Sequence, residues 1–103
     1  KLAAHVDMAR LPLLPGIADL AQAGHVTGAS QRNWASYGAE VRLEHIADWQ
    51  HAILTDPQTS GGLLVSCAPE ARAAVLEIFR THGFDAAMEI GELGEGAGVK
   101  VAG

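Results

Sequence analysis

Asp56-Pro57-Gln58-Thr59-Ser60-Gly61-Gly62 gathers a carboxylate, an amide, two hydroxyls and two glycines into seven consecutive residues. Thr59 and Ser60 offer hydroxyl donors. Adjacent glycines let backbone N–H groups approach an anion with no side chain in the way. Asp56 could cap the loop or meet a cation carried by a phosphate, and Gln58 could brace it. The chemistry indicated is the binding of phosphate or a similar anion. The plainer alternative is a tight turn in which Asp56 satisfies nearby backbone. A Walker-type loop is excluded, because that motif requires Gly-Lys-Ser/Thr and runs from strand to helix. Here Leu63-Leu64-Val65 follows, and no helix N-terminus assists.

A second polar cluster is Gly28-Ala29-Ser30-Gln31-Arg32-Asn33. The Arg32 guanidinium could hold a phosphate with two parallel hydrogen bonds, or pair with a carboxylate such as Glu40. Asn33 could orient a ligand, a loop or a local turn. The histidines at 5, 25, 45, 51 and 82 show neither His-x3-His nor Cys-x2-Cys spacing, so no metal site is expected. Glu89, Glu92 and Glu95 read as a solvated acidic turn. No catalytic triad or nucleophile can be placed from spacing.

The elements that must carry these residues are short. Leu2 to Leu14 has strand-like stretches interrupted by Pro12 and Pro15, and this first strand has no evident sheet partner. A helix is expected from Pro15-Gly16 to about Ala23, stopped by Gly24. Residues 27–38 read as irregular, with Ser30 capping a short helical turn that ends near Gly38. A strand at Val41 to Leu43 precedes a helix at Glu44 to Leu54, where Ile46, Trp49 and Ile53 mark one face. The loop 55–62 then leads into Leu63 to Cys67, which reads as a buried strand with Cys67 as a small hydrophobe. Pro69 to His82 is the clearest helix, with Pro69 near its first position and Glu70 in its first turn. Ala87 to Leu93 and Val99 to Ala102 read as strands joined in a hairpin across the Glu92 to Gly98 turn. The mixture argues for one α+β domain over residues 1–103, a layered mixed sheet with helices.

Composition narrows the function. The net charge is −5, and Lys1 and Lys100 are the only lysines. Phosphate-backbone binders need clustered cations, so neither nucleic acid nor an anionic membrane is an expected partner. No apolar run approaches the roughly 20 residues of a membrane span, and no signal-peptide pattern is present. A lone cysteine cannot form an intrachain disulfide, which suits a cytoplasmic setting. Aromatic residues make up only 5%, so a thin, alanine-rich core of modest stability is expected.

Asp56-Pro57-Gln58-Thr59-Ser60-Gly61-Gly62-Leu63-Leu64-Val65 resembles the signature of the C-terminal domain of the selenophosphate synthetase (selenide, water dikinase) family, within the aminoimidazole ribonucleotide synthetase-like superfamily. Pro12-Leu13-Leu14-Pro15-Gly16 and Gly28-Ala29-Ser30-Gln31-Arg32-Asn33 with Tyr37-Gly38 are similar to that family in order and spacing. Ala29 and Ser30 stand where the family usually has glycine and threonine, so the hydroxyl is kept.

The resemblance implies an α+β domain of aminoimidazole ribonucleotide synthetase C-terminal type. That domain is usually longer at its N-terminal side, so this chain resembles about its last two thirds. The implied parent is an ATP- and magnesium-dependent dimeric dikinase that makes selenophosphate, AMP and phosphate from ATP, selenide and water. The family's reactive residues and magnesium ligands lie in an N-terminal catalytic domain, which would be this portion's partner. No catalytic residue, metal ligand, bound ATP or independent activity is then expected of this portion alone. Thr59, Ser60, Gly61, Gly62, Arg32 and Asn33 would line the phosphate-handling cleft between the domains, with Asp56, Gln58 and Ser30 organising the loops. Without that partner the chain should self-associate or form a homodimer through an exposed sheet edge. The alternative is a stand-alone anion-binding or assembly module of the same fold.

Overall fold

Leu2, Ala4 and Val6 alternate with Ala3, His5 and Asp7, which puts aliphatic residues on one face and polar ones mainly on the other, and this segment forms strand β1 (Leu2–Asp7) in the interior of the sheet. The computed structural model describes all residues, Lys1–Gly103. After a 3-10 turn at Met8–Arg10 the chain forms helices α1 (Ile17–Gln22) and α2 (Ala29–Tyr37), strand β2 (Val41–Glu44) and helix α3 (Asp48–Leu54). A long connection leads through a 3-10 turn at Pro69–Ala71 into α4 (Arg72–Thr81), followed by β3 (Gly91–Glu95) and β4 (Val99–Ala102). The α+β class expected from the sequence is the one observed.

The sheet order is β2-β4-β1-β3, with β1 antiparallel to β3 and parallel to β4, and β4 parallel to β2. Two expectations are corrected here. The first strand has partners on both sides, and β3 and β4 are not a hairpin, because β1 lies between them. Gly96 to Gly98 carries the chain past the start of β1, where the Ala4 amide donates to the Gly98 carbonyl at 3.0 Å. Gly98 is required twice at this crossing. Its φ is +78°, and a Cβ there would lie 2.8 Å from the Glu40 carbonyl oxygen.

The register sorts the strands' side chains onto two faces. Val41, Val99, Ala4 and Leu93 lie abreast on one face, with Leu43, Val101 and Val6 in the next row. The other face aligns Arg42, Lys100, His5 and Glu92, and Glu44 reaches both Arg42 and Lys100 at 3.6 and 3.3 Å.

Several boundaries differ from expectation, each for a local reason. β2 extends to Glu44 and His45 turns away with φ +55°, so α3 starts at Asp48 rather than Glu44. Residues 29–37 are a full helix, not irregular, and Ser30 lies inside it rather than at its cap. The strand near 87–93 is shifted to Gly91–Glu95. Leu63 to Cys67 is not a buried strand. It has no sheet partner, Leu63 and Leu64 are 83% and 84% exposed, and Cys67 is exposed.

The core is small, as the alanine-rich composition implied. Only Ala3, Met8, Ala21 and Val101 are buried apolar residues. α4 has no buried residue and is tied back by Arg72 to Glu89 at 3.0 Å. The accessible surface is 7670 Å², against about 5,500 Å² expected for a folded monomer of this mass. The radius of gyration is 14.6 Å, where a compact chain of this length would give about 13 Å. The excess, roughly 2,000 Å², is more than twice the area of about 800 Å² that one partner buries in a standard interface.

Candidate functional site

α2 positions one of the two polar clusters. Residues three and four apart share a helix face, so Ser30, Asn33 and Trp34 look the same way. They look onto α3. Ser30 Oγ donates to the Ala52 carbonyl at 3.2 Å, and Asn33 Nδ2 donates to the Thr55 carbonyl at 2.7 Å. The Trp34 ring meets the His51 ring edge-on, with centroids 4.4 Å apart. Trp34 can lie this close to its own helix end because Gly38 has no side chain, and a Cβ there would sit 2.6 Å from the indole. His51 Nε2 is buried in this contact with no hydrogen-bond partner.

Thr55 is the hinge between α3 and the second cluster. It is 2% exposed, and its hydroxyl bonds back to the His51 carbonyl at 2.9 Å. With its carbonyl held by Asn33, the residue is fixed at both ends. The Asp56 amide makes one last bond to the Ile53 carbonyl at 3.2 Å. Beyond it, no residue from Pro57 to Cys67 makes a backbone or side-chain hydrogen bond within the chain.

The loop therefore presents free donors from a fixed base. Thr59 and Ser60 form its turn and are exposed, as are Asp56, Gln58, Gly61 and Gly62. Gln58 folds toward Gly61, where a Cβ would lie 3.1 Å from Gln58 Oε1, while the space at Gly62 is open. These free amides and hydroxyls can donate to an anion.

Arg32 is placed differently from its neighbour. It lies about 200° around the helix from Ser30, so it points away from the face that meets α3. It is exposed, and it is the one arginine with no carboxylate partner; the contact with Glu40 does not form. Asn33, by contrast, spends its amide on the Thr55 carbonyl. The structure joins Ser30, Asn33 and the base of the 56–62 loop, and leaves Arg32 outside that arrangement.

No three His, Cys, Asp or Glu side chains gather into a metal-binding group. Magnesium takes octahedral oxygen ligands, commonly one or two carboxylates with substrate phosphates and water. Asp56, the one carboxylate in the loop, does not by itself build such a site. A shallow cavity of about 340 Å³ lies at the chain crossing, lined by His5, Glu40, Arg42, Glu95 and Lys100 among others, and takes no wall from residues 55–62.

Sequence reasoning missed Thr55, His51 and Trp34. Trp34 directly follows Asn33, and Thr55 directly precedes Asp56. Adjacency to the two polar clusters was the only available signal.

No helix is long and apolar enough to cross a membrane. The profile of the AIR synthase related protein C-terminal domain matches residues 1–103. A selenide, water dikinase of Pseudomonas straminea is 53% identical over 98 residues, 94% of this chain and 28% of its own length. Those of Burkholderia orbicola and Dechloromonas aromatica are each 54% identical, over 93% and 92% of this chain and 27% and 28% of their own lengths. The chain thus spans a little over a quarter of the length of these curated relatives. With the α+β fold and the DPQTSGG loop in place, the chain belongs to the family of AIR synthase related protein C-terminal domains.

Proposed function

We propose that this chain serves as one wall of the nucleotide- and phosphate-handling cleft of a selenide, water dikinase. The observation that carries the reading is the loop 56–62, whose free amides and hydroxyls start from Thr55, a residue held by Asn33. Phosphoryl transfer is largely positioning and charge neutralisation. Thr59 and Ser60 would donate hydroxyl hydrogen bonds to phosphate oxygens, and the Gly61 and Gly62 amides would approach them unobstructed. Arg32, exposed and unpaired on the outer face of α2, would supply positive charge to an anion approaching from that side. Asn33 would act from behind by fixing the loop's base.

ATP and magnesium belong to the parent enzyme in this reading, and the ion's ligands come from its other domain. The other domain would also carry the dimer contacts. The chain alone is expected to be inactive, and a reducing cytoplasm would suit its single exposed thiol. Relatives whose names state this activity, with about half of the residues identical, support the assignment.

The test uses a full-length selenide, water dikinase that includes this sequence. Thr59→Val and Gly61→Val should lower selenide-dependent AMP formation from ATP at least tenfold in a folded protein. Wild-type rates in both would make the loop a structural turn only. The second reading, a stand-alone anion-binding module, rests on the same free donors. It is separated by titrating the 103-residue chain with phosphate or ATP while following the fluorescence of Trp34 and Trp49. Saturable binding without the other domain favours the module.

A further inference from the structure

The register sets Arg42 of β2, Lys100 of β4 and His5 of β1 abreast in one row of the sheet. Neighbouring strands lie about 4.8 Å apart, so this row of nitrogen-bearing side chains runs roughly 10 Å across the sheet. Like charges side by side repel, and Glu44 alone offsets Arg42 and Lys100, at 3.6 and 3.3 Å. None of the three side chains makes a hydrogen bond within the chain. Their donors are therefore open, and all three line the cavity of about 340 Å³ at the chain crossing.

The same cavity carries two carboxylates, Glu40 and Glu95, and neither has a cationic partner. The register separates the two sets of charge. His5 lies opposite Glu92 and Leu2 opposite Glu95, which puts Glu95 about 10 Å along the strands from the row, toward the start of β1. Glu40 immediately precedes Val41, the first residue of β2, and β1, β4 and β2 run parallel. Both carboxylates therefore lie at the same end of the cavity, with the cationic row further in.

We propose that this cavity binds a small zwitterion of the ω-amino acid type, with its acid group on Arg42, Lys100 and His5 and its ammonium group at Glu40 and Glu95. An anion alone would meet two unpaired carboxylates, and a cation alone would meet Arg42 and Lys100. An α-amino acid holds its two charges too close together to reach both sets, whereas several methylenes between them span the gap. The volume is at the lower end of the range for small-molecule sites, about 300–1,000 Å³, which suits a ligand of a few carbon atoms. The cavity takes no wall from residues 55–62, so the inference stands apart from the cleft reading.

Titration of the 103-residue chain with δ-aminovalerate at low ionic strength, followed by amide NMR shifts, tests the proposal. Saturable shifts at millimolar ligand are expected at residues 3–5, 39–42 and 95–100, and none at 56–62. Valerate, which lacks the ammonium group, and pentylamine, which lacks the acid, should each bind at least tenfold more weakly. Arg42→Gln and Lys100→Gln should each weaken δ-aminovalerate binding at least tenfold. Glu95→Gln should weaken δ-aminovalerate but strengthen valerate, a reversal that a damaged fold could not produce. Absence of saturable shifts overturns the proposal. So does valerate or pentylamine binding as tightly as δ-aminovalerate, unchanged binding in Arg42→Gln and Lys100→Gln, or loss of both ligands in Glu95→Gln. Shifts centred on 56–62 also overturn it, because the ligand would then occupy the loop rather than the chain crossing.

Discussion

Asn33 Nδ2 donates to the carbonyl of Thr55 across 2.7 Å, and this bond joins the polar cluster on α2 to the loop that begins at Asp56. It spans 22 residues of sequence. Two clusters that read as separate candidates are therefore mechanically one unit, in which α2 fixes the residue from which the loop departs.

Removing the Asn33 amide leaves a largely buried carbonyl unsatisfied, which costs about 1–3 kcal/mol. Asn33→Ala is expected to lower stability in urea unfolding by that amount. Asn33→Asp preserves volume but turns an acceptor toward an acceptor, so it should be at least as damaging. Arg32→Ala, at an exposed and unpaired position, should change stability by less than about 0.5 kcal/mol. A large effect at Arg32 with none at Asn33 would contradict the placement of the two residues on α2.

The α2 helix shows why part of this arrangement was hidden in the sequence. Its inner face meets α3 through Ser30, Asn33 and Trp34, two polar residues and one aromatic, rather than through an apolar stripe. Hydrophobic periodicity finds helices that pack by burial, and this one packs by hydrogen bonds, so residues 27–38 read as irregular. α4 was legible at its C-terminal end, whereas Pro69 and Glu70 form a 3-10 turn at Pro69–Ala71 and the α-helix itself starts at Arg72. The loop 56–62 was legible because residue type alone distinguishes it. The Leu63 to Cys67 run carries a strand's composition, but pairing depends on a neighbour that composition does not specify. The position of β1 between β3 and β4 is likewise a long-range fact, and the intervening glycines suggested only a turn.

The two ends of the glycine series should respond in opposite ways. Gly98→Ala meets both a positive φ and the Glu40 carbonyl, and strain of this kind costs on the order of 1–3 kcal/mol. Gly62→Ala meets open space and has no positive φ, so it should be neutral or stabilise by about 0.4–1 kcal/mol through the unfolded chain. Thermal unfolding of both variants checks this. If Gly62→Ala folds normally yet weakens phosphate or ATP binding in the full-length enzyme, the added methyl obstructs the approach of the anion to the loop.

Arg72 and Glu89 form the one ion pair that ties α4 to the segment before β3. Both side chains are more than a third exposed, so the pair is worth no more than about 1 kcal/mol and is weakened by salt. Glu89→Gln should leave the global unfolding midpoint nearly unchanged. Because α4 buries no residue of its own, its amides should exchange several-fold faster in that variant, and molar salt should do the same in the wild type. Unchanged α4 exchange under both conditions would mean that another contact anchors the helix.

His51 supplies the sharpest test of the α2–α3 contact. Its Nε2 is buried without a partner against the edge-on Trp34 ring. A buried polar atom without a partner costs roughly 1–3 kcal/mol, and an apolar group of similar shape removes that cost. His51→Phe keeps an aromatic ring against Trp34 and is therefore expected to be neutral or to raise stability by about 1 kcal/mol. His51→Ala removes the ring and leaves a cavity beside Trp34, with an expected loss of about 2–4 kcal/mol. In a Trp49→Phe background, which leaves Trp34 as the single indole, fluorescence should shift toward that of exposed indole in His51→Ala and not in His51→Phe. Equal destabilisation by both substitutions would show that the imidazole holds a hydrogen bond rather than serving as packing surface, and the ring contact would then be incidental to how α2 fixes Thr55.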